Sequence, residues 1–134
     1  SDTIIYKIHL MKECLTRGVK IISCMGAANK TDPTRFKIAD ISKTHTDPLA
    51  KVIRSKLRKE GIYKGVPVVF SDESPIIVRE DVVETVGKPD AKIRKAKMPP
   101  SSNAFVPSVA GLVAASWVIN DITSEIPVKR VRNN

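Results

Sequence analysis

The feature that most constrains this chain is a one-sided helical pattern that leads directly into a short apolar run. Apolar side chains recur at helical spacing from Ile4 to Leu15, Asp2 can cap the free amide groups at the start, and Gly18 can end the helix. The run VKIISC (19–24) follows and is typical of a strand covered on both faces in a parallel sheet. A helix followed by a buried strand is half of a βαβ unit, so the chain is predicted to be an α/β protein.

Size and composition agree with this fold class. The 134 residues fit one domain, and a hydrophobic content of 42% is enough for a core. Only 4% of the residues are aromatic, whereas aliphatic residues are plentiful. This composition favours helices packed on a sheet over an aromatic-rich barrel.

The rest of the chain predicts further strands and helices. Asp47 and Pro48 form a strong helix start, and Gly61 a stop for the same helix. One helix, over about 103–122, is expected to be central to the core. Strands are predicted at RFKIADI (35–41) and VPVVFS (66–71), and a further short strand at PIIVRE (75–80). A mobile basic crossover is expected at about 81–102 and a flexible basic tail at 124–134.

The charge favours an anionic partner without identifying it. The chain has 23 Lys and Arg against 14 Asp and Glu, a formal charge of +9. This charge suits nucleic acid as well as it suits a solvated basic surface. Two cysteines are too few for a disulfide scaffold, and no paired Cys or His spacing indicates a zinc site. A cytoplasmic location is expected, and no segment is predicted to cross a membrane.

Two short motifs carry the most specific information. CMGAANKTDP (24–33) places small residues, an amide, a lysine and a turn directly after a predicted strand, and KTHTDPLA (43–50) leads into the second helix. Both motifs resemble patterns of the ThiF/MoeB/HesA family of ubiquitin-activating-enzyme-like adenylyltransferases. The resemblance is closest to the branch that dehydrates threonylcarbamoyladenosine in tRNA. It implies a Rossmann-like ThiF-type domain, of which 1–134 would be the C-terminal part, because the glycine-rich nucleotide loop of the family is absent.

The resemblance implies ATP-dependent activation of a carboxylate as an acyl adenylate. Asp2 matches a family aspartate that holds magnesium and the phosphates of ATP, so it is the candidate catalytic and metal-binding residue, although by itself it is an ordinary helix cap. Lys7, Asn29 and Lys30 are candidate contacts to the nucleotide or substrate. From spacing alone, Lys7 is equally a solvated lysine, and the 24–33 motif is equally a strand-end turn.

A tRNA substrate would need a basic surface. The side chains predicted to contact the RNA backbone lie in the second motif, on the helix after it and in the crossover: Lys43, His45, Lys51, Arg54, Arg58, Arg94 and Lys95. The competing interpretation is a solvated helix face.

Two other functions stay open. The first is adenylation of a ubiquitin-like sulfur carrier protein, although no cysteine beyond Cys24 is present to accept sulfur. The second is a non-catalytic RNA-binding or dimerisation module. Family members are commonly homodimers, so a homodimer is also expected.

Overall fold

Within the residues that the structure describes, the chain forms three helices and three strands, as an α/β protein should. The computed structural model describes residues 2–77 and 101–132, without the side chain of Asp2. The helices are α1 (Asp2–Thr16), α2 (Pro48–Lys59) and α3 (Val106–Ile122), and the strands are β1 (Ser23–Cys24), β2 (Phe36–Asp40) and β3 (Pro67–Ser71). Short 3₁₀ helices at Pro33–Arg35 and Ile41–Lys43 flank β2. The predicted fold class is confirmed.

The strands form one sheet in the order β1-β3-β2. β1 runs parallel to β3, with Cys24 opposite Val69, whereas β2 runs antiparallel, with Ile38 opposite the same valine. β3 is therefore the central strand, and Val68, Val69 and Phe70 are all buried, as is usual for a continuous apolar strand covered on both faces. β1 is shorter than the predicted run 19–24, since only two of its residues pair with β3.

Local capping signals set the helix boundaries. Gly18 takes a φ of 65°, and the amide of Val19 bonds to the carbonyl of Cys14 at 2.8 Å, which closes the end of α1. Asp47 accepts a hydrogen bond from the amide of Ala50 at the start of α2, and Gly61 follows its end with a φ of 77°. These predicted starts and stops are confirmed.

The helices cover both faces of the sheet. Met11 of α1 and Leu57 of α2 are fully buried in one cluster with Val68 and Phe70 of β3. Alternate β3 residues point the other way. On that second face, the Cys24 thiol lies 3.5 Å from the carbonyl oxygen of Ala110 in α3.

Helix α3 contributes less to the core than its sequence predicts. Only Val106 and Ala110 of this helix are buried, whereas Leu112 is 68% exposed and Ile122 is 72% exposed. The expectation that this helix is central to the core was wrong beyond its first turns. Its residues are apolar around most of its circumference, so the sequence could not indicate how much of the helix is buried.

The remaining predicted segments either differ from the prediction or lie outside the residues that the structure describes. Residues 75–77 form no strand, and the remainder of the strand predicted at 75–80 is not described. Most of the 81–102 crossover also lies outside the described residues. The described part of the tail, 124–132, contains no helix or strand, and its flexibility stays a prediction. No described helix is both long and apolar enough to cross a membrane.

Candidate functional site

The loop after β1 occupies the edge of the sheet at which the parallel strands end. The amide of Met25 bonds to the carbonyl of Val69 at 2.8 Å, so the loop starts directly from the ladder. In open α/β sheets, ligands bind outside the carboxyl ends of the strands. We therefore treat residues 25–32, called the β1 loop below, as the centre of the candidate site.

Gly26 makes room for a carboxylate of the protein itself. Its amide donates to Oδ2 of Asp47 at 2.9 Å. A Cβ atom at this position would lie 3.0 Å from the same oxygen. The space left by the absent side chain is therefore filled by Asp47.

Lys30 and Asp47 form a buried ion pair. Nζ of Lys30 lies 3.0 Å from Oδ2 of Asp47 and donates to the carbonyl oxygen of Gly26 at 2.8 Å. The two side chains are 1% and 0% exposed. Lys30 thus has a structural role that the sequence did not reveal, and its predicted contact to a phosphate or substrate stays a prediction.

Glu73 holds the far end of the β1 loop. Oε1 accepts hydrogen bonds from the amide and hydroxyl of Thr31 at 2.9 and 3.1 Å, and Oε2 accepts the amide of Asp32 at 2.9 Å. Burial is the largest influence on this carboxyl and opposes its ionisation, but the hydrogen bonds outweigh it and keep the pKa of Glu73 below its usual value. Sequence reasoning missed Glu73. The one available signal was an acidic residue two positions after a buried strand.

Asn29 connects the β1 loop to two other segments. Its carbonyl accepts the amide of Ile76 at 2.7 Å, and its amide donates to the carbonyl of Ser101 at 2.8 Å. Oδ1 accepts both the amide and the hydroxyl of Ser101 at 2.9 Å. The segments that follow β3 and precede α3 therefore converge on this residue.

Lys7 is the third predicted nucleotide contact that reaches this edge. Its ammonium donates to the carbonyl oxygen of Cys24 at 2.7 Å, at the end of β1. Burial raises the pKa of the Cys24 thiol, which the nearby Lys7 only partly offsets, so this cysteine is a poor nucleophile at neutral pH.

Asp2 begins α1, and its side chain lies outside the described part of the structure. Its predicted roles toward magnesium and ATP therefore stay predictions. Among the side chains that the structure describes, no cluster of three or more His, Cys, Asp or Glu residues could hold a metal ion.

The predicted RNA contacts separate into two groups. Lys43, His45, Lys51 and Arg58 are exposed at or near α2. The ring of His45 packs edge-on against Phe70 with centroids 5.5 Å apart.

The other group is engaged elsewhere or not described. Nη1 of Arg54 donates to the carbonyl oxygen and to the hydroxyl of Thr44 at 2.9 and 2.7 Å, so this arginine anchors the turn before α2. Arg94 and Lys95 lie outside the described residues.

A cleft of about 330 Å³ lies at the opposite, amino end of the strands. It is lined by apolar and charged residues from α1, the start of β3 and α3. Those that form its walls include Leu15, Val19, Ile21, Pro67 and Trp117. Lys20 and Asp121, 2.8 Å apart, bridge its rim. Of the predicted site residues that the structure describes, none lines this cleft.

Sequence comparisons relate the chain to tRNA-modifying enzymes. It is 72% identical over 133 residues to the tRNA threonylcarbamoyladenosine dehydratase of Bacillus subtilis (strain 168), which covers 99% of this chain and 52% of that protein. It is 34% identical over 136 residues to tRNA threonylcarbamoyladenosine dehydratase 2 of Saccharomyces cerevisiae, which covers 92% of this chain and 30% of that protein. The chain thus spans about half or less of these relatives. No protein-family model matches it.

Solved structures share the fold. TcdA (CsdL) superposes with a TM-score of 0.70 at 24% identity, over 89% of this chain and 46% of that chain. Escherichia coli tRNA N6-threonylcarbamoyladenosine dehydratase, TcdA, in complex with AMP gives a TM-score of 0.69 at 24% identity, over 89% and 44% of the two chains. A further TcdA structure holds ATP. The likeness confirms the predicted ThiF-type, Rossmann-like fold.

Proposed function

We propose that this chain belongs to a tRNA threonylcarbamoyladenosine dehydratase of the ThiF/MoeB/HesA type. Its similarity to such dehydratases extends over nearly its whole length. The observation that carries the proposal is the 72% identity over 99% of the chain. The enzyme would activate the threonylcarbamoyl carboxylate on tRNA with ATP, forming an acyl adenylate and releasing pyrophosphate. Intramolecular attack on the activated carbonyl would expel AMP and close a ring, a net dehydration.

The carboxyl edge of the sheet is the proposed nucleotide side of this enzyme. Lys7 is within reach of this edge through its bond to Cys24, and Asn29 and Lys30 belong to the β1 loop. The ATP-bound and AMP-bound TcdA structures support a nucleotide in proteins of this fold. For Lys30, the buried bond to Asp47 supports an indirect contribution, through the shape of the loop.

Asp2 is the proposed ligand of magnesium. A carboxylate is the ligand type that this hard cation prefers, and the ion would neutralise charge on the phosphates of ATP. The role of the chain in this step would be to hold the carboxylate at the start of α1, a helix fixed to the sheet by the buried side chains of Ile8 and Met11.

The exposed basic residues near α2 are the proposed tRNA surface. Lys43, His45, Lys51 and Arg58 lie within 16 positions in the sequence, on a chain whose formal charge is +9. Contacts between such side chains and phosphates give affinity without sequence reading, and their strength falls steeply with salt. Arg54 would support this surface through Thr44, and Arg94 and Lys95 would extend it.

We also infer that the protein acts in the cytoplasm as a homodimer. The exposed apolar side chains of α3, such as Leu112 at 68% and Ile122 at 72%, support burial of this helix against a further protein surface. Light scattering of the complete gene product would show a mass twice that of its chain; a monomer at micromolar concentration would contradict the inference.

The proposed activity is tested with the complete gene product, ATP, magnesium and tRNA that carries threonylcarbamoyladenosine. We expect ATP-dependent loss of one water from the modified nucleoside by mass spectrometry, together with release of AMP and pyrophosphate. Pyrophosphate exchange that requires a small carrier protein ending in Gly-Gly, and not tRNA, would instead favour the sulfur-carrier activator. Salt-sensitive tRNA binding without either reaction would favour a non-catalytic module.

A further inference from the structure

We propose that Asn29 is a positioning residue, which joins three chain segments at the carboxyl edge of the sheet and does not itself contact the substrate. The inference rests on the proposed function, since it assigns a role within that reaction. It replaces the direct ligand contact that the sequence motif suggests for this asparagine. The argument depends on its backbone, its side chain and the anchoring of its neighbours.

The backbone conformation of Asn29 suits a residue that joins chain segments. Its φ of 58° lies in the left-handed region, which asparagine adopts more readily than most residues. This conformation accompanies the bond between its carbonyl and the amide of Ile76, at 2.7 Å, in the segment after β3. The loop after one parallel strand is therefore connected to the segment after the neighbouring strand.

The backbone amide and the side chain together connect the third segment. The amide donates to the carbonyl of Ser101 at 2.8 Å. Oδ1 accepts the amide and the hydroxyl of Ser101, 72 positions away in the sequence. A backbone amide is always a donor, so the atom of Asn29 that faces it must be the oxygen. The orientation of the Asn29 amide group is thereby fixed by the protein.

Neighbouring anchors prevent the β1 loop from moving independently of this junction. Lys30 is held by Asp47, and Thr31 is held by Glu73. Asn29→Ala would remove the side-chain bonds to Ser101 and strain the left-handed backbone that presents the carbonyl to Ile76, so both segments would be held less firmly while the loop itself stays fixed. Geometry at the edge where ligands bind would be lost without loss of the fold.

Three variants separate positioning from contact. Asn29→Asp keeps the accepting oxygen and tolerates the left-handed backbone, but removes the only side-chain donor. Asn29→Ala removes the acceptor and strains the backbone. Ser101→Ala removes one of the two donors to Oδ1, and Asn120→Ala, at an exposed position of α3, is the matched control.

We expect Asn29→Ala to lower kcat/KM of the complete gene product by about tenfold, Asn29→Asp to stay within about threefold of the parent, and Asn120→Ala to have no effect. Asn29→Ala combined with Ser101→Ala should cost less than the product of the two single losses, because both remove one shared contact. Hydrogen exchange of the segments around Ile76 and Ser101 should accelerate in Asn29→Ala and stay slow in Asn29→Asp.

A loss in Asn29→Asp as large as that in Asn29→Ala would overturn the proposal, as would losses at Asn29 and Ser101 that multiply independently. Either result would show that the amide of Asn29 touches substrate. A parent protein without dehydratase activity would refute the proposed function instead. In that case hydrogen exchange would still test the role of Asn29. Unchanged hydrogen exchange around Ile76 and Ser101 in Asn29→Ala would refute the proposal that Asn29 joins these segments.

Discussion

Lys30 and Asp47 bring two sequence motifs together in the interior of the protein, with Nζ and Oδ2 3.0 Å apart. The same carboxylate accepts the amide of Gly26 and caps α2 through Ala50. One buried charge pair therefore fixes the β1 loop relative to the start of a helix. The motifs that carry the family resemblance are, at these positions, parts of a structural joint.

Removal of either charge should strongly destabilise the fold. Lys30→Met or Asp47→Ala leaves its partner charged, buried and unpaired, which costs about 3–5 kcal/mol of unfolding free energy. Urea denaturation of the purified protein measures this change. The exposed Lys56→Met serves as the control and should shift the unfolding free energy by less than about 0.5 kcal/mol. A comparably small shift for Lys30→Met would mean that the pair is open to water.

Gly26→Ala should destabilise the protein for a steric reason. The added Cβ would lie 3.0 Å from Oδ2 and 3.1 Å from Oδ1 of Asp47, so the carboxylate would have to move away from its donors. We expect a cost of about 1–3 kcal/mol in thermal or urea denaturation. Gly111→Ala in α3 meets nothing within 4 Å and should be neutral or stabilising, through better helix propensity. Equal effects of the two substitutions would contradict this explanation.

Acid should weaken the fold through two carboxylates. Hydrogen bonds from Lys37 and Arg35 lower the pKa of Asp72 from 3.8 to about 2. A pKa lower in the folded state stabilises the fold above the unfolded pKa, and this contribution is lost as pH falls through the folded value. The contribution of Asp72 should therefore fade between pH 3.8 and about 2.

Glu73 acts in the same direction, because its hydrogen bonds to Thr31 and Asp32 leave its pKa below the usual value. Denaturation of the parent, Asp72→Asn and Glu73→Gln across acidic pH would resolve the two groups. Each variant should show a flatter fall in unfolding free energy with acid than the parent. Parallel curves for a variant and the parent would mean that its carboxyl does not contribute.

Binding of tRNA should depend on salt through the surface near α2. Lys51→Gln and Arg58→Gln should each weaken affinity and reduce the slope of log K against log salt by about one. Arg17→Gln, after the end of α1 and paired with Glu13, is the matched control. Filter binding over a salt series would test this surface, and equal slopes for all three variants would place the RNA elsewhere.

Asp2→Asn should impair adenylation more than tRNA binding. The amide loses the negative charge proposed to hold magnesium, so kcat should fall by about a hundredfold or more while the affinity for tRNA is unchanged. Glu13→Gln, later in the same helix, should leave kcat unaltered. ATP–pyrophosphate exchange at several magnesium concentrations measures the effect, and parental exchange by Asp2→Asn would remove this residue from the mechanism.

The sequence determined the features that depend on neighbouring residues. Asp47 and Pro48 started α2, Gly18 and Gly61 ended helices, and the apolar run at 66–71 became the central strand. Each is a local matter of dihedral preference, capping or side-chain periodicity, which a short window of residues can encode. The family resemblance likewise lay in contiguous motifs.

Only the tertiary structure decided what the polar residues of those motifs do. Asp47 bonds to Gly26 and Lys30, Glu73 bonds to Thr31, and Asn29 bonds to Ser101. The partners are far apart in the sequence, so helix or strand periodicity cannot predict these pairs. A buried polar group must find a partner, but its identity depends on how strands and helices are brought together. The burial of α3 was decided in the same way. Its apolar residues could not reveal that only Val106 and Ala110 are buried, because the burial of a side chain depends on which other surface covers it.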